Sequence, residues 1–541
     1  MNADLILHGG FVHTVTPFDG PRPSAVAVRD GRIVAVGDDL SDLSGTGTEH
    51  IDLAGRLVVP GFQDSHAHPP QGGLERTRCD LTGAKTASAF STRIADYAAR
   101  TASPWILGGG WSMEAFPGGC PTAAALDAIA AIGDRPVYLP NRDHHSAWVN
   151  SAALRLAGIT AETPDPSDGR IERDADGTPS GALHEGAMTL VEHLVPAPTA
   201  AEMRNGLLVG QAYLHSLGIT AWQDAWVTPR DFAAYEDVAS SGELTARVVG
   251  CQWWERTQGL DQIEGIRSRQ ARGPIGRFRP TAVKIMLDGV CETFTASMLT
   301  PYLDGHGHAT DNNGLRFVEP DDLARYVTAL DAEGFQVHMH ALGDRGVRDA
   351  LDAIGAARFA NGPSDNRHQI AHLQVVHPDD ISRFGILSAT ANSQALWACA
   401  EPQMVELTIP YLGDERAEWQ YPFASIARAG GRLALGSDWP VSSPDPLEIM
   451  HVAVNRTEPG ADSSVLPFIP SERLSLEEAV YAYTMGSAHT NHQDDVTGSI
   501  SVGKYADLVV LDRDIFAPDA GPLTEATVDY TFIEGTVVHE R

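Results

Sequence analysis

The sequence predicts an α/β protein built around a (β/α)8 barrel. Eight short apolar segments with strand character alternate with amphipathic stretches whose apolar spacing fits helices, and this alternation is typical of a parallel barrel. Five of the eight segments end in a residue that can bind a metal, as expected where the chemistry lies at the carboxyl ends of barrel strands. The predicted strands are residues 59–66, 218–224, 245–253, 281–287, 335–340, 368–373, 386–392 and 432–438.

Both ends of the chain are β-rich. Short apolar runs near the N-terminus are separated by turns, and the pair Asp30-Gly31 between two such runs is a hairpin signal. The chain from Gly498 onward shows the same pattern. We expect one composite β-sandwich made by both termini, with two unrelated terminal hairpins as the alternative. The predicted division is residues 1–57 and 487–541 for the sandwich and 58–486 for the barrel.

The first predicted barrel strand lies within Val58–His68, which reads VVPGFQDSHAH. Successive side chains alternate faces in an extended chain, so His66 and His68 point the same way. Two neutral imidazoles on one face can bind one metal ion. The alternative is a packed histidine pair in the barrel core.

The gap between the first two predicted strands, residues 69–217, is too long for a single helical crossover. It contains strand signals such as WILGGGW and PVYLPN and turn-rich tracts such as TPDPSDGR. We interpret it as an insertion. Because it follows a strand on the catalytic face, we expect it to form a lid or a pocket wall.

Later strand-like segments end in further ligand-type residues. A lysine at the end of an apolar strand is costly to bury in its charged form, so a lowered pKa and reaction with CO2 to a carbamate are chemically sensible for Lys284. The alternative for Lys284 is a surface or ion-paired lysine. The alternative for Asp438 is an aspartate that caps the next turn. The residues are Lys284 in AVKIMLDG, His340 in FQVHMHALGD, His372 in RHQIAHLQ and Asp438 in RLALGSDW.

These motifs resemble the amidohydrolase superfamily, specifically its family 3 branch, which includes N-substituted formamide deformylases. The similarity runs from about Leu5 to about Val538 and takes in HAH after PGF, KxxxDG, HALGDR, HxxAH and GSDWPV. It implies one or two divalent metal ions at the barrel mouth; Zn is the expected ion, although Fe, Mn, Co or Ni would also fit. The implied ligands, with the lysine carboxylated, are His66, His68, Lys284, His340, His372 and Asp438.

The resemblance also implies catalytic and substrate-binding residues. Asp438 is expected to serve as general base and acid, because amide hydrolysis takes a proton from water and gives one to the departing nitrogen. The segment RDHHSAWVN is similar to the RxDGH...N segment of the family, so His145 is expected to polarise the substrate carbonyl, while His144 replaces the usual glycine. A loop histidine is the alternative. The expected substrate-binding residues are Trp111, His145, Asp288 and Trp397. The two tryptophans are proposed from their positions alone, and the alternative is that they belong to the core, as aromatic residues after a strand more often do.

The composition restricts partners and compartment. The 39 Lys and Arg residues against 71 Asp and Glu residues give a net charge of -32 at pH 7, which argues against a nucleic-acid partner. Five cysteines without a CxxC pair, and no signal-peptide pattern or long apolar run, predict a cytoplasmic protein without membrane spans. We expect a small-molecule substrate, and the resemblance is compatible with a homodimer.

The predicted function is that of a metal-dependent amidohydrolase that cleaves a non-peptide C–N bond of a small molecule through metal-activated water. The expected substrate is a linear amide or an N-formyl or N-acyl amine. One alternative keeps the barrel and the metal but changes the reaction to hydrolysis of cyclic amides, carbamates or esters, or to deamination. Another is a non-catalytic binding relative, which loss of ligands would favour, yet every strand-end ligand is present.

Overall fold

A computed structural model describes residues 2–16 and 22–541. The remaining residues of the predicted segment 1–57 lie outside the described part of the chain. Strands and helices are numbered in chain order. Among the described residues, none of the helices is both long and apolar enough to cross a membrane.

Strands from both ends of the chain form two sheets with a shared apolar core, which includes Leu7, Val26, Val58, Leu508 and Phe532. The first sheet contains β1 (Leu5–His8), β3 (Ala25–Arg29), β4 (Arg32–Gly37) and β5 (Glu49–Asp52), in the order β4-β3-β1-β5. The second contains β2 (Phe11–Val12), β6 (Leu57–Pro60), β21 (Leu508–Leu511), β22 (Val528–Ile533) and β23 (Thr536–Glu540), in the order β2-β6-β21-β22-β23.

Eight parallel strands form the centre of the molecule. They follow one another around a nearly closed barrel, in which Ala67 and Trp439 make an isolated parallel bridge between the end of the first strand and the segment after the last strand. The predicted (β/α)8 barrel is therefore confirmed. The strands are β7 (Phe62–Ala67), β14 (Ile219–Val227), β15 (Arg247–Trp253), β16 (Phe278–Met286), β17 (Gln336–Ala341), β18 (Gln369–His372), β19 (Thr390–Ser393) and β20 (Arg432–Leu435).

Five of the predicted strand ends differ from the structure by three residues or more. Two of these strands are longer than predicted, since β14 continues to Val227 and β16 begins at Phe278, and the other three ends lie outside the strands. Val59 and Pro60 belong to β6 of the terminal sheet, and the barrel strand starts only after Gly61, whose N–H donates to the carbonyl of Asp507. Residues 386–387 end a helix rather than begin a strand. β20 ends at Leu435, before Asp438, whose φ of 57° is incompatible with a strand.

The insertion has its own mixed sheet, in the order β12-β13-β11-β10-β9-β8. Its strands are β8 (Cys79–Asp80), β9 (Ile106–Gly109), β10 (Val137–Pro140), β11 (Ser146–Val149), β12 (Gly169–Arg173) and β13 (Pro179–Glu185). Its helices are α1 (Pro69–Arg76), α2 (Ala87–Arg100), α3 (Ala123–Asp127), α4 (Ser151–Leu156) and α5 (Thr189–Glu192), and α6 (Ala200–Ser216) leads back to the barrel.

The other helices are α7 (Pro229–Ser240), α8 (Ile263–Gln270), α9 (Pro320–Ala332), α10 (Asp344–Asn361), α11 (Ile381–Leu387), α12 (Pro402–Leu407), α13 (Ile409–Leu412), α14 (Asp414–Ala417), α15 (Phe423–Arg428), α16 (Pro446–Asn455), α17 (Leu476–Tyr481) and α18 (Ser487–Thr490). Their buried residues recur every three or four positions, as in α10 with Val347, Leu351 and Ile354. Helical faces of this kind pack on the barrel strands, and the helices and strands together form the largest apolar core among the described residues.

Candidate active site

The carboxyl ends of the barrel strands bring all six predicted ligand residues to the wall of one pocket. Asp438 lies at its centre: Oδ1 is 2.8 Å from His68 Nε2 and 3.1 Å from His66 Nε2, and Oδ2 is 4.0 Å from His372 Nδ1. Lys284 Nζ is 3.2 Å from His66 Nε2. The rings of His340 and His372 are 4.5 Å apart between centroids, so His340 completes the group.

Two of these residues have an unusual backbone conformation. His372 and Asp438 have φ angles of 78° and 57°, in the left-handed region that residues other than glycine rarely adopt. His372 is the last residue of β18 and Asp438 lies three residues after β20, and at both positions an extended conformation would point the side chain elsewhere. Such strain is maintained only by the surrounding structure and is typical of functional sites.

A chain of buried polar groups holds His66 from inside the barrel. His66 Nδ1 is 2.9 Å from His338 Nε2, and His338 Nδ1 is 2.7 Å from Gln223 Oε1. Below it, Asp64 accepts hydrogen bonds from the backbone N–H of His66 and from the hydroxyl of Ser437. These contacts fix the ring of His66 and leave its Nε2 directed at Asp438 and Lys284.

The donor set fits a divalent metal ion. His66, His372 and Asp438 offer ligand atoms that all lie within 4.8 Å of one another. Burial, together with nearby positive charge, lowers the pKa of His66 and His372 well below the ordinary value, so both rings are neutral and can act as ligands. The buried Nδ1 atom of His372, which lies 4.0 Å from Asp438 Oδ2, has no hydrogen-bond partner, and an ion would correct this.

His145 lies on the opposite wall, in the insertion. Its Nδ1 is 2.9 Å from Glu185 Oε1, and its ring is 5.6 Å from that of His340. Burial alone would lower the pKa of His145, but the carboxylate of Glu185 raises it to about 9, so the ring is protonated at neutral pH. Glu185 ends β13 with a φ of 49°, and this strained residue also accepts a hydrogen bond from the hydroxyl of Thr295.

The other predicted substrate-binding residues do not line the pocket. Trp111 is fully buried in the core of the insertion, where its indole N–H donates to the carbonyl of Leu139, so no substrate can reach it. Asp288 is also fully buried and accepts backbone hydrogen bonds from Leu342 and Gly343, and it therefore positions the segment after His340. Trp397 stacks on His372 at 5.3 Å and supports that ring from outside the pocket.

Several residues of the site were not predicted from the sequence. Asp224 Oδ1 is 3.9 Å from His68 Nδ1, and the hydroxyl of Tyr235 donates to the other oxygen of that carboxylate. Asp224 ends a predicted strand, so the rule that identified Asp438 could have found it too. Glu185 and the pocket-lining Trp253 had no such signal, because their positions depend on the fold of loops and of the insertion.

The pocket has a volume of about 440 Å³ and an apolar wall. That wall is formed mainly by Met188, Trp226, Trp253, Met286 and Phe317, while Arg256 adds a charge. A barrel with clustered imidazoles, an amine and a carboxylate at its mouth defines a metal-dependent hydrolase or deaminase.

Comparison with known proteins identifies the family. Residues 49–539 match the amidohydrolase family, and the chain belongs to it, as the sequence motifs predicted. Protein LONG AFTER FAR-RED 3 of Arabidopsis thaliana is 33% identical over 97% of this chain and 90% of its own length. The N-substituted formamide deformylase of Arthrobacter pascens is 27% identical, with 99% and 98% covered. The crystal structure of an uncharacterized metal-dependent hydrolase from Pyrococcus furiosus is similar with a TM-score of 0.71 and 26% identity, covering 94% of this chain and 99% of that one.

Proposed function

We propose that the protein hydrolyses the C–N bond of a small linear amide, such as an N-formyl or N-acyl amine. The observation that carries this proposal is the position of Asp438, because one of its oxygens faces both His68 Nε2 at 2.8 Å and His66 Nε2 at 3.1 Å. Amide hydrolysis needs an acid–base group beside the reacting water, and a carboxylate among metal-binding imidazoles is placed for that task.

The six clustered residues would hold one or two divalent metal ions, and zinc suits their imidazole and carboxylate groups best. A bound ion would supply a Lewis acid that polarises the substrate carbonyl and makes water acidic enough to react at neutral pH. The ligands are His66, His68, Lys284, His340, His372 and Asp438.

Lys284 contributes as a carbamate in this proposal. Its side chain is buried, and its Nζ neighbour at 3.2 Å is the imidazole of His66 rather than a carboxylate. Burial lowers the pKa of Lys284 to about 8, so part of the amine is uncharged at neutral pH. The free, neutral amine attacks CO2, a C–N bond forms as one C=O π bond breaks, and one proton leaves, which converts the buried neutral amine into an anionic carbamate ligand.

Asp438 moves the proton. Burial alone would raise the pKa of Asp438, but the hydrogen bond with His68 lowers it to about 2, so the carboxylate is ionised and can accept a proton from the attacking water. As the C–N bond breaks, Asp438 gives that proton to the departing nitrogen, which leaves as a neutral amine.

His145 stabilises the charge that develops on the carbonyl oxygen. Its Nδ1 is bound to Glu185, so the protonated Nε2 is free to donate to a substrate oxygen. His145 faces His340 across the pocket. A substrate carbonyl between the two rings would be in reach of His145 from the insertion and of His340 from the barrel.

The pocket favours a small substrate with an apolar group. A volume of about 440 Å³ excludes a folded protein, and Trp226, Trp253 and Phe317 offer aromatic contacts to one end of the ligand. An N-substituted amide with an aromatic or branched N-substituent fits this division between a polar floor and an apolar wall. The similarity to an N-substituted formamide deformylase supports the same substrate class.

A substrate screen tests the proposal. Purified protein loaded with Zn2+ would be assayed against N-benzyl and N-alkyl formamides, N-acyl amines, lactams and aryl esters, with Asp438→Asn as the inactive control. We expect release of primary amine from linear amides and a loss of at least about 100-fold in kcat for the variant. Turnover of lactams or esters alone, or full activity of Asp438→Asn, would refute the proposal.

A further inference from the structure

A second cluster of metal-binding side chains lies in the insertion. Cys120, Glu172 and His184 each offer one ligand atom, and these atoms all lie within 4.8 Å of one another. The active-site pocket is lined by other residues. We propose that Cys120, Glu172 and His184 bind a second divalent metal ion, and Zn2+ is the ion that suits a thiolate, a carboxylate and an imidazole together.

The distances match those of a shared tetrahedral ion. Cys120 Sγ is 3.8 Å from His184 Nε2, which is 3.2 Å from Glu172 Oε1. With Zn–S of about 2.3 Å, Zn–N of about 2.05 Å and Zn–O of about 2.1 Å, a tetrahedral angle separates S from N by about 3.6 Å and N from O by about 3.4 Å. Each observed distance is therefore within about 0.2 Å of the value that an ion requires.

Local structure directs the ligands toward the common point. Ser146 Oγ is 2.7 Å from His184 Nδ1, so the hydroxyl can accept the Nδ1 proton and leave the Nε2 lone pair for an ion. Glu172 lies where the register of β12 against β13 shifts between Ile171 and Arg173. A bulge of this kind redirects a side chain, and here it turns the carboxylate toward His184.

The cluster is open to solvent on one side. His184 is 1% exposed, whereas the side chain of Glu172 is 25% exposed, so an ion can enter past the carboxylate. The guanidinium of Arg170 pairs with the same Oε1 of Glu172 that faces His184, and since each carboxylate oxygen has two lone pairs, this oxygen can bind the guanidinium and an ion together. Three protein ligands leave one position for water.

The site lies beside the residues that position His145. His184 pairs with Ser146 across β13 and β11, while Glu185, the next residue in the chain, contacts His145, the residue before Ser146. An ion on His184 would therefore fix the strand end from which Glu185 reaches into the pocket. The second ion is structural in this view, and its binding does not depend on the proposed reaction.

Cobalt binding tests the second site directly. Chelator-treated protein in a thiol-free reducing buffer would be titrated with Co2+, and the near-ultraviolet thiolate-to-cobalt charge-transfer absorption would be recorded. The predicted catalytic ligands contain only nitrogen and oxygen, so this absorption reports a cysteine ligand alone. We expect the absorption in the wild type and its loss in Cys120→Ser and in His184→Asn. Cys399→Ser is the matched control, because that buried thiol donates to the carbonyl of Leu396, as a serine would, and it should keep the absorption.

Two outcomes overturn the proposal: no charge-transfer absorption in the wild type at saturating Co2+, or an undiminished absorption in Cys120→Ser. Circular dichroism of the metal-free variants checks their folding. Should Cys120→Ser misfold, His184→Asn decides, since it retains all five thiols. A His66→Gln, His68→Gln double variant should lose activity and keep the absorption, so failure of the proposed function and failure of the second site are distinguishable.

Discussion

Gly436 is a position at which the barrel leaves almost no room beside the proposed metal ligands. A Cβ placed there would lie 2.7 Å from the backbone nitrogen of His66, 2.9 Å from its Cβ and 3.1 Å from Asp64 Oδ1, whereas ordinary contact begins at 3.4 Å. Gly436→Ala must therefore separate the first and last barrel strands by up to 3.4 − 2.7 = 0.7 Å at this point. Overpacking of this kind costs about 1–3 kcal/mol.

The displacement also affects the site, because Gly436 lies two residues before Asp438, whose backbone N–H donates to the carbonyl of His66 at 2.7 Å. A misplacement of about 1 Å costs about 100-fold in rate, so we expect kcat/KM to fall by about 10- to 100-fold. Zn2+ content after dialysis against limiting metal should fall as well.

Urea denaturation and metal analysis measure both effects, and they need no substrate. Gly47→Ala is the matched control, since Gly47 has no atom within 4 Å of an added Cβ, and its free energy of unfolding should stay within about 1 kcal/mol of the wild type. A Gly436→Ala variant with the urea midpoint and the zinc content of the wild type would show that the two strands are not in the tight contact described here.

Three further predictions concern the metal, its support and acid stability. Chelation should lower the unfolding free energy, and Zn2+ at a hundred times its Kd should restore about 2.7 kcal/mol; calorimetric scans that are identical with and without chelator would contradict this. His338→Phe should weaken metal affinity by about 10- to 100-fold through the loss of its contact with His66, as measured by competition with a chromophoric chelator, while His308→Phe, at a largely exposed position, should not. Burial alone would raise the pKa of Asp331, but hydrogen bonds from His368 and three other side chains lower it below 3.8. The ionised carboxylate therefore stabilises the fold above pH 3.8, and this stabilisation is lost as the pH falls through the pKa of Asp331 in the folded protein. Asp331→Asn should cost about 1.5–3 kcal/mol at neutral pH and flatten the acid limb of the urea midpoint, and an unchanged pH profile would argue against it.

Alternating apolar segments were sufficient to predict the barrel, because most of its strands are buried on both faces and contain several apolar residues, although β19, with the sequence TANS, is buried but largely polar. The strand ends could not be predicted in the same way. Pro60 and Gly61 interrupt one apolar run, yet only the pairing of β6 with β21 determines that the first part belongs to another sheet. Asp438 continues an apolar run in the sequence, and its left-handed backbone depends on tertiary contacts.

The residues of the candidate site also fall into those that the sequence could predict and those that it could not. Residues at the ends of regular strands, such as His66 and Lys284, were predictable because parallel strands present their carboxyl ends on one side. Trp111 shows the limit of this reasoning, since an aromatic residue after a strand has the same local pattern whether it faces a pocket or a core. Glu185 could not be found at all, because its contact with His145 requires the pairing of two strands within an insertion.

The terminal sheets bear directly on the site through the floor of the barrel. Gly61 joins β6 to β7 where a Cβ would lie 2.3 Å from the hydroxyl of Thr220, so the chain can pass from one sheet to the other only with glycine there. Two residues on, Gln63 donates to the hydroxyl of Thr497 in the C-terminal segment. His66 therefore lies five residues after Gly61, the junction between β6 and β7, and segments from both ends of the chain contact this junction. The terminal sheets thus fix the start of the strand that carries the two histidines.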